Sequence, residues 1–135
     1  KGFNQLEEVE SIFQHDDFHA GNIIMKDGKY VGVIDFNRMD WGDYVQDFVK
    51  MGWFSRSVNK SFAVGQLKGY FTDGIPEEFW NRYSLYMAVS IISTIAWHKK
   101  FFPHLMNEII PIIHMVLDDH ENFNFLKPNW FVKEG

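Results

Sequence analysis

The stretch I-F-Q-H-D-D-F-H-A-G-N-I-I-M-K-D-G-K-Y-V-G-V-I-D-F-N-R-M-D-W-G-D-Y-V-Q-D, Ile12 to Asp47, decides how this chain is read. Its centre reads as a hairpin. Asn22 to Met25 is one apolar strand, Lys26-Asp27-Gly28-Lys29 the turn, and Tyr30 to Ile34 the returning strand. Asp-Gly is a strong turn signal because both central positions of a two-residue hairpin turn need positive φ. The two strand ends away from that turn carry Asn22 and Asp35, so both are expected at one open end. His15-x-Asp17-x-x-x-x-Asn22 leads into it. A loop can curl so that Asp17 and Asn22 face one point, and the hairpin returns Asp35 to it.

That set suits phosphoryl transfer. The reaction needs an acidic group to orient or deprotonate the acceptor hydroxyl, and magnesium ions to neutralise the phosphates. Magnesium takes oxygen ligands, often only one or two of them from protein. Asp17 is the expected catalytic residue. Asn22 and Asp35 are the expected magnesium ligands and, through the metal, the nucleotide contacts.

Outward from this stretch the chain reads as helices. Ser11 to Gln14 is a brief strand, and the polar Lys1 to Glu10 a helix end or linker. Asn37 to Gly42 is expected as a loop. Gly42 or Asp43 caps a helix from about Tyr44 to Phe54, with Asp47 in its first turn, where the helix dipole favours a carboxylate. Asn59 or Ser61 starts a second helix, to about Phe71. Pro76, with Glu77 and Glu78 behind it, opens a third. That helix runs to about His98, is apolar around much of its circumference, and is expected to be central and largely buried. His104 to His120 is a helical pattern that Pro111 should kink or split. Asn122 to Gly135 reads as coil, with Phe123, Phe125, Trp130 and Phe131 packing back on the body. The expected fold class is α+β, mainly helical: a small β-hairpin followed by about four helices.

Bulk composition narrows the function. The 135 residues make one ordinary domain, and 46% hydrophobic with 23% charged residues excludes a disordered chain. A net charge of −5 disfavours nucleic acid as a partner. The absence of cysteine excludes disulfide scaffolds, thiolate zinc sites and thiol chemistry. No apolar run approaches the ~20 residues of a membrane span. The expectation is a cytoplasmic protein with no membrane partner.

The motifs closely resemble the aminoglycoside phosphotransferase and choline kinase-like family, relatives of protein kinases. That family's pattern is roughly H-G-D-x-H-x-x-N, an apolar hairpin, I/V-D-W/F, then G-D-x-x-x-D. This chain has His15-Asp16-Asp17-Phe18-His19-Ala20-Gly21-Asn22, then Val33-Ile34-Asp35-Phe36, then Gly42-Asp43 and Asp47-Phe48. The resemblance implies a kinase-like C-terminal lobe that uses Mg²⁺ with ATP or GTP. It makes Asp17 the catalytic base and gives the metal to Asn22 and Asp35. His15, His19, Asp43 and Asp47 then support the loop. It implies a small-molecule hydroxyl acceptor, aminoglycoside-like and cationic.

Asp16 stands where the family has Gly, and can point to solvent or disturb the loop. Tyr44 stands where Pro is frequent, a minor change. The chain contains no Gly-rich phosphate loop and no strand Lys for the α- and β-phosphates. It is therefore expected to be the C-terminal portion of a longer phosphotransferase, its partner being the N-terminal nucleotide lobe absent here, and to be inactive alone. Within it, residues 1–14 are a lead-in, 15–36 the catalytic loop and metal hairpin, 43–122 the helical substrate-binding part, and 123–135 a C-terminal coil. Glu77, Glu78, Asp118, Asp119 and Glu121 are either solvated helix faces or contacts to an acceptor amine. Two other readings stay open: a non-catalytic, pseudokinase-like binding module, and a metal-dependent hydrolase built on His15, Asp17 and His19.

Overall fold

The computed structural model describes residues 9–134. Most of the expected lead-in, residues 1–8, therefore lies outside the described residues, as does Gly135. The fold is α+β and mainly helical. Two small antiparallel sheets frame the loop. β1 (Ile12–Gln14) pairs with β4 (Asp40–Gly42), and β2 (Ile23–Lys26) pairs with β3 (Lys29–Val33). The hairpin forms where the Asp-Gly turn placed it. Asp27 and Gly28 take φ of 51° and 73°, the pair of positive values a two-residue turn demands. A bulge between Ile24 and Met25 shifts its register. Ile34 N–H donates to Asn22 C=O at 3.0 Å, which closes the open end beside Asp35.

β4 corrects the loop expected over Asn37 to Gly42. It is only Asp40-Trp41-Gly42, too short to show an alternating pattern, and it exists because β1 lies opposite it: Phe13 faces Trp41 and Gln14 faces Asp40. The helix expected from Tyr44 to Phe54 is also different. It begins as a 3₁₀ turn, Tyr44–Phe48, capped by Asp43, whose Oδ1 accepts from Val45 N–H at 3.1 Å. It then widens into a π turn, Met51–Ser55, before one α turn, α1 (Arg56–Val58).

Three longer helices build the body. α2 (Lys60–Tyr70) starts at Asn59, whose Oδ1 accepts from Phe62 N–H at 3.0 Å. α3 (Glu77–Phe101) follows Pro76, with Glu77 and Glu78 at its positive end and His98, Lys99 and Lys100 at its negative end. α4 (Met106–Asp119) runs through Pro111 as one helix, giving up a single backbone hydrogen bond rather than splitting. α5 (Asn129–Glu134) replaces coil expected there, and its Trp130 is buried in the core. Phe125, expected to pack back, is 57% exposed.

The core joins Val45, Phe48 and Met51 to Ala63, Val64 and Leu67 of α2, and to Phe79, Trp80, Tyr83 and Met87 of α3. Full burial in α3 runs from Phe79 to Ile91 and stops there. Val89, Ile92, Trp97 and Phe101 are exposed, so the long helix is central at one end only. Gly52 explains part of this packing. A Cβ there would overlap Tyr83 Oη and stand 2.9 Å from Met87 Cε. Gly52→Ala is expected to destabilise the fold by about 1–3 kcal/mol through overpacking, read as a lower urea midpoint. An unchanged midpoint would mean that α3 shifts freely.

The C-terminal side carries a pH dependence. His120 is buried, stacks on Phe123 and hydrogen-bonds through Nδ1 to Phe125 C=O at 3.1 Å. Burial pushes its pKa below the usual 6.5, against the opposing pull of that carbonyl and of Asp119. The folded state therefore keeps His120 neutral while the unfolded chain takes up a proton. This contribution is fully present above pH about 6.5 and is lost as pH falls toward the lower folded value. Denaturant titrations across that window should show a flatter profile for His120→Gln. Parallel profiles would remove His120 as the cause. No helix among the described residues is long and apolar enough to cross a membrane.

Candidate active site

The loop from His15 to Asn22 is held from three sides. The Asp47 carboxylate accepts from His15 N–H at 3.0 Å and from Asp16 N–H at 2.7 Å. The His15 ring bridges the loop to β3. Its Nδ1 accepts from Asp17 N–H at 3.2 Å, so Nε2 carries the hydrogen and donates to Ile34 C=O at 2.9 Å. Ser55 Oγ, fully buried in the π turn, accepts from Ala20 N–H at 3.2 Å. His19 caps the short turn Ala20–Asn22 by accepting from Gly21 N–H at 3.1 Å.

Asp16 keeps the loop's shape although it stands in a glycine position. Its φ is 57°, the left-handed conformation that glycine takes freely and that aspartate tolerates better than most side chains. Its carboxylate points toward Arg38, 3.8 Å away. Partial burial pushes the Asp16 pKa above its usual value, with Arg38 and then Lys50 pulling against that rise.

Asp17 is partly buried, and three side chains surround it. Asn22 Nδ2 donates to its backbone carbonyl at 2.9 Å and lies 3.5 Å from Oδ2. His19 Nε2 is 3.9 Å from Oδ2, and Lys50 Nζ is 3.4 Å from Oδ1. Asp35 ends the hairpin at φ 67° and accepts from Asn37 Nδ2 at 2.7 Å. Backbone held in this region at a non-glycine residue costs energy and clusters at functional positions. The hairpin brings Asp35 to the strand end that carries Asn22. Among the described residues, its carboxylate makes no direct hydrogen bond to Asn22 or Asp17.

Asp43 does more than cap a turn. It is buried, accepts from Tyr86 Oη at 3.0 Å, and pairs with Arg82 at 3.3 Å, which ties the loop side to α3. Burial, and then Asp43, push the Tyr86 pKa up to about 12, so the phenol stays protonated and keeps donating. Gln14 Nε2 donates to Asp43 C=O, linking the same corner to β1.

Beside Asp17 opens a cavity of about 780 Å³. Asp16, Asp17, His19 and Arg38 line its loop side, and Trp53, Tyr86, Val89 and Trp97 line its helical wall. None of the five acidic residues weighed as either solvated helix faces or contacts to an acceptor amine lines it. Glu77 pairs with Lys127 at 2.7 Å, and Asp119 is buried against Arg56 at 2.6 Å. Asp119 and Glu121 line a separate cavity of about 600 Å³ near the C-terminus.

The model of the phosphotransferase enzyme family matches residues 4–82, more than half of the chain, and covers the loop, the hairpin and the start of α3. This chain belongs to that family. No curated protein and no solved structure matches it. The motifs that resemble the aminoglycoside phosphotransferases all fall within the span matched by the phosphotransferase model.

The metal-dependent hydrolase reading would need His15 as a ligand. Both ring nitrogens of His15 are engaged, and among the described residues no group of three His, Cys, Asp or Glu side chains could hold a metal ion. The chemistry of Asn22 and Asp35 does fit magnesium, a hard cation that needs few protein oxygens when phosphates and water supply the rest. Sequence reading missed Lys50, Ser55 and Arg38. Lys50 left a usable signal: it lies three residues after Asp47, and residues so spaced on a helical turn share a face. Ser55 left none, because its placement depends on the π turn.

Proposed function

We propose that this phosphotransferase moves the γ-phosphoryl group of ATP or GTP to a hydroxyl of a small molecule, and that the described fold serves as a kinase-like C-terminal lobe. The observation carrying this reading is the Asp17 carboxylate, held by the braced loop at the edge of a cavity that can take an acceptor. Asp17 accepts the hydroxyl proton as that oxygen attacks the γ-phosphorus, and the nucleoside diphosphate leaves. Asn22 and Asp35 would hold Mg²⁺, which supplies charge neutralisation at the phosphates. Lys50 keeps the Asp17 side chain in one orientation.

The chain has no Gly-rich phosphate loop, so we assign the grip on the nucleotide's phosphates to a segment of a longer protein. The 135 residues alone are then expected to give no useful turnover. In the full-length protein, Asp35→Ala is expected to weaken Mg-nucleotide binding by about 10–100-fold, the range for lost metal-site support. Calorimetric titration with Mg-ATP and Mg-GTP would read this directly. Unchanged affinity would remove Asp35 from the metal site. Nucleotide binding with no transfer to any hydroxyl would favour the non-catalytic binding module.

A further inference from the structure

The cavity beside Asp17 also constrains what the acceptor can be. Its charges cancel. Two carboxylates face it, and each already has a cation: Asp16 with Arg38 at 3.8 Å, and Asp17 with Lys50 at 3.4 Å. The remaining titratable lining groups are His19, Tyr86 and His98, which add no negative charge. Acidic groups that could have served an amine are used elsewhere. Asp43 is held by Tyr86 and Arg82, Asp119 by Arg56, and Glu77 by Lys127.

The walls are mainly apolar. Most of the exposed lining surface is apolar, and Val49, Trp53, Phe54, Val89, Trp97 and Ile109 contribute to it. Trp97 and Val89 are 51% and 50% exposed, on the face of α3 that lines this cavity. Ser90, Ser93 and Thr94 are uncharged polar residues on that wall. Ser90 is spent, accepting from Trp53 Nε1 at 2.9 Å and donating to Met87 C=O at 2.7 Å. Ser93 and Thr94 also line the cavity, and no hydrogen bond of their hydroxyls is seen among the described residues. A volume of about 780 Å³ lies in the range of small-molecule sites, which are usually apolar with a few placed polar groups.

We propose that the acceptor is an uncharged hydroxyl compound with a ring or alkyl face, and not a polycationic aminoglycoside. This rests on the phosphotransferase reading above. The ring or alkyl face would lie on Trp97 and Val89, Ser93 and Thr94 would take its neutral polar groups, and the reacting hydroxyl would meet Asp17. A compound carrying several ammonium groups would instead meet Lys50 and Arg38 with no unpaired carboxylate to offset them.

The test uses the full-length protein, with 2-(2-naphthyl)ethanol as the neutral probe and kanamycin A as the polycation, both titrated by calorimetry near physiological salt. The neutral alcohol is expected to bind at least about tenfold more tightly. Trp97→Ala should weaken it about fivefold or more, and Val89→Lys, at a second exposed position, should do the same. Arg38→Glu should raise the affinity for kanamycin A. Equal or tighter binding of kanamycin A by the unmodified protein overturns the proposal. So does binding of neither probe, or naphthylethanol affinity that ignores both wall variants. Failure of the underlying reading looks different: naphthylethanol bound through Trp97, with no phosphoryl transfer from ATP or GTP to any alcohol.

Discussion

Asp17→Asn is expected to slow phosphoryl transfer in the full-length protein by about 10²–10⁴-fold, the usual contribution of a positioned general base. Mg-nucleotide affinity should change little. The amide has nearly the same shape as the carboxylate but cannot accept the hydroxyl proton in the same way. The loop should survive the change, because its main supports at this residue are backbone groups. Asp17 C=O accepts from Asn22, and Asp17 N–H donates to His15 Nδ1. The nearest polar neighbour of the side chain is Lys50 at 3.4 Å, with Asn22 and His19 at 3.5 and 3.9 Å, and an amide can stay among all three. Coupled release of ADP or GDP, with nucleotide affinity measured separately, reads both quantities. A loss below about tenfold, or equal losses in rate and nucleotide affinity, would show that Asp17 is not the base.

The largest effect on stability is expected from Asp119→Ala. Arg56 and Asp119 meet at 2.6 Å between α1 and α4, with Asp119 almost completely buried. Arg56 Nε, in the same guanidinium, is buried with no hydrogen-bond partner among the described residues, so this cation has little to fall back on. Removing one member of a buried pair leaves the other charge uncompensated and typically costs about 3–5 kcal/mol. In a domain of this size that is a fall in Tm on the order of 10 °C or more. The double variant Arg56→Met with Asp119→Leu should recover much of the loss, because no isolated charge remains. Thermal and urea melts of all three proteins test this. A single variant as stable as the parent, or a double variant worse than the single, would show that the ion pair does not carry the junction.

The parts of this protein legible in the sequence are those fixed by near neighbours. The Asp-Gly turn sets the hairpin, and the hairpin sets Asn22 and Asp35 at one end. Asn59, Pro76 and the acidic pair behind Pro76 mark helix starts that form where local chemistry puts them. What was hidden depends on contacts far apart in the chain. β4 has no pattern of its own and exists through β1. The π turn depends on Gly52 fitting under Tyr83 and Met87. α3 is apolar over its whole length, so periodicity could not tell the residues that meet the core from those that line the cavity. Pro111 suggested a break, yet α4 continues through it.

The site divides in the same way. The spacing of His15, Asp17, Asn22 and Asp35 proclaimed a phosphotransferase loop, and the family match agrees. The ways in which the loop is held were less visible. Asp47 was expected near it, but not as the acceptor for two consecutive backbone N–H groups. Lys50 beside Asp17 and Arg38 beside Asp16 required the third dimension, and they alter the electrostatics most. Without them the cavity would look acidic. With them it is neutral.

The π turn has one more consequence. Five residues, Met51–Ser55, occupy a wider coil than an α-helix would give them. Upstream of it stand Asp47 and Lys50, which hold the loop; within it stands Ser55, which holds Ala20. An α-helix advances each residue by about 100°. Were these same five residues to tighten into a regular helix with none removed, the upstream pair would swing by roughly a quarter turn relative to Ser55. Carboxylate, ammonium and hydroxyl could then no longer face the loop together. The wider coil acts as a phase adjuster, keeping two successive helical turns aimed at one short loop.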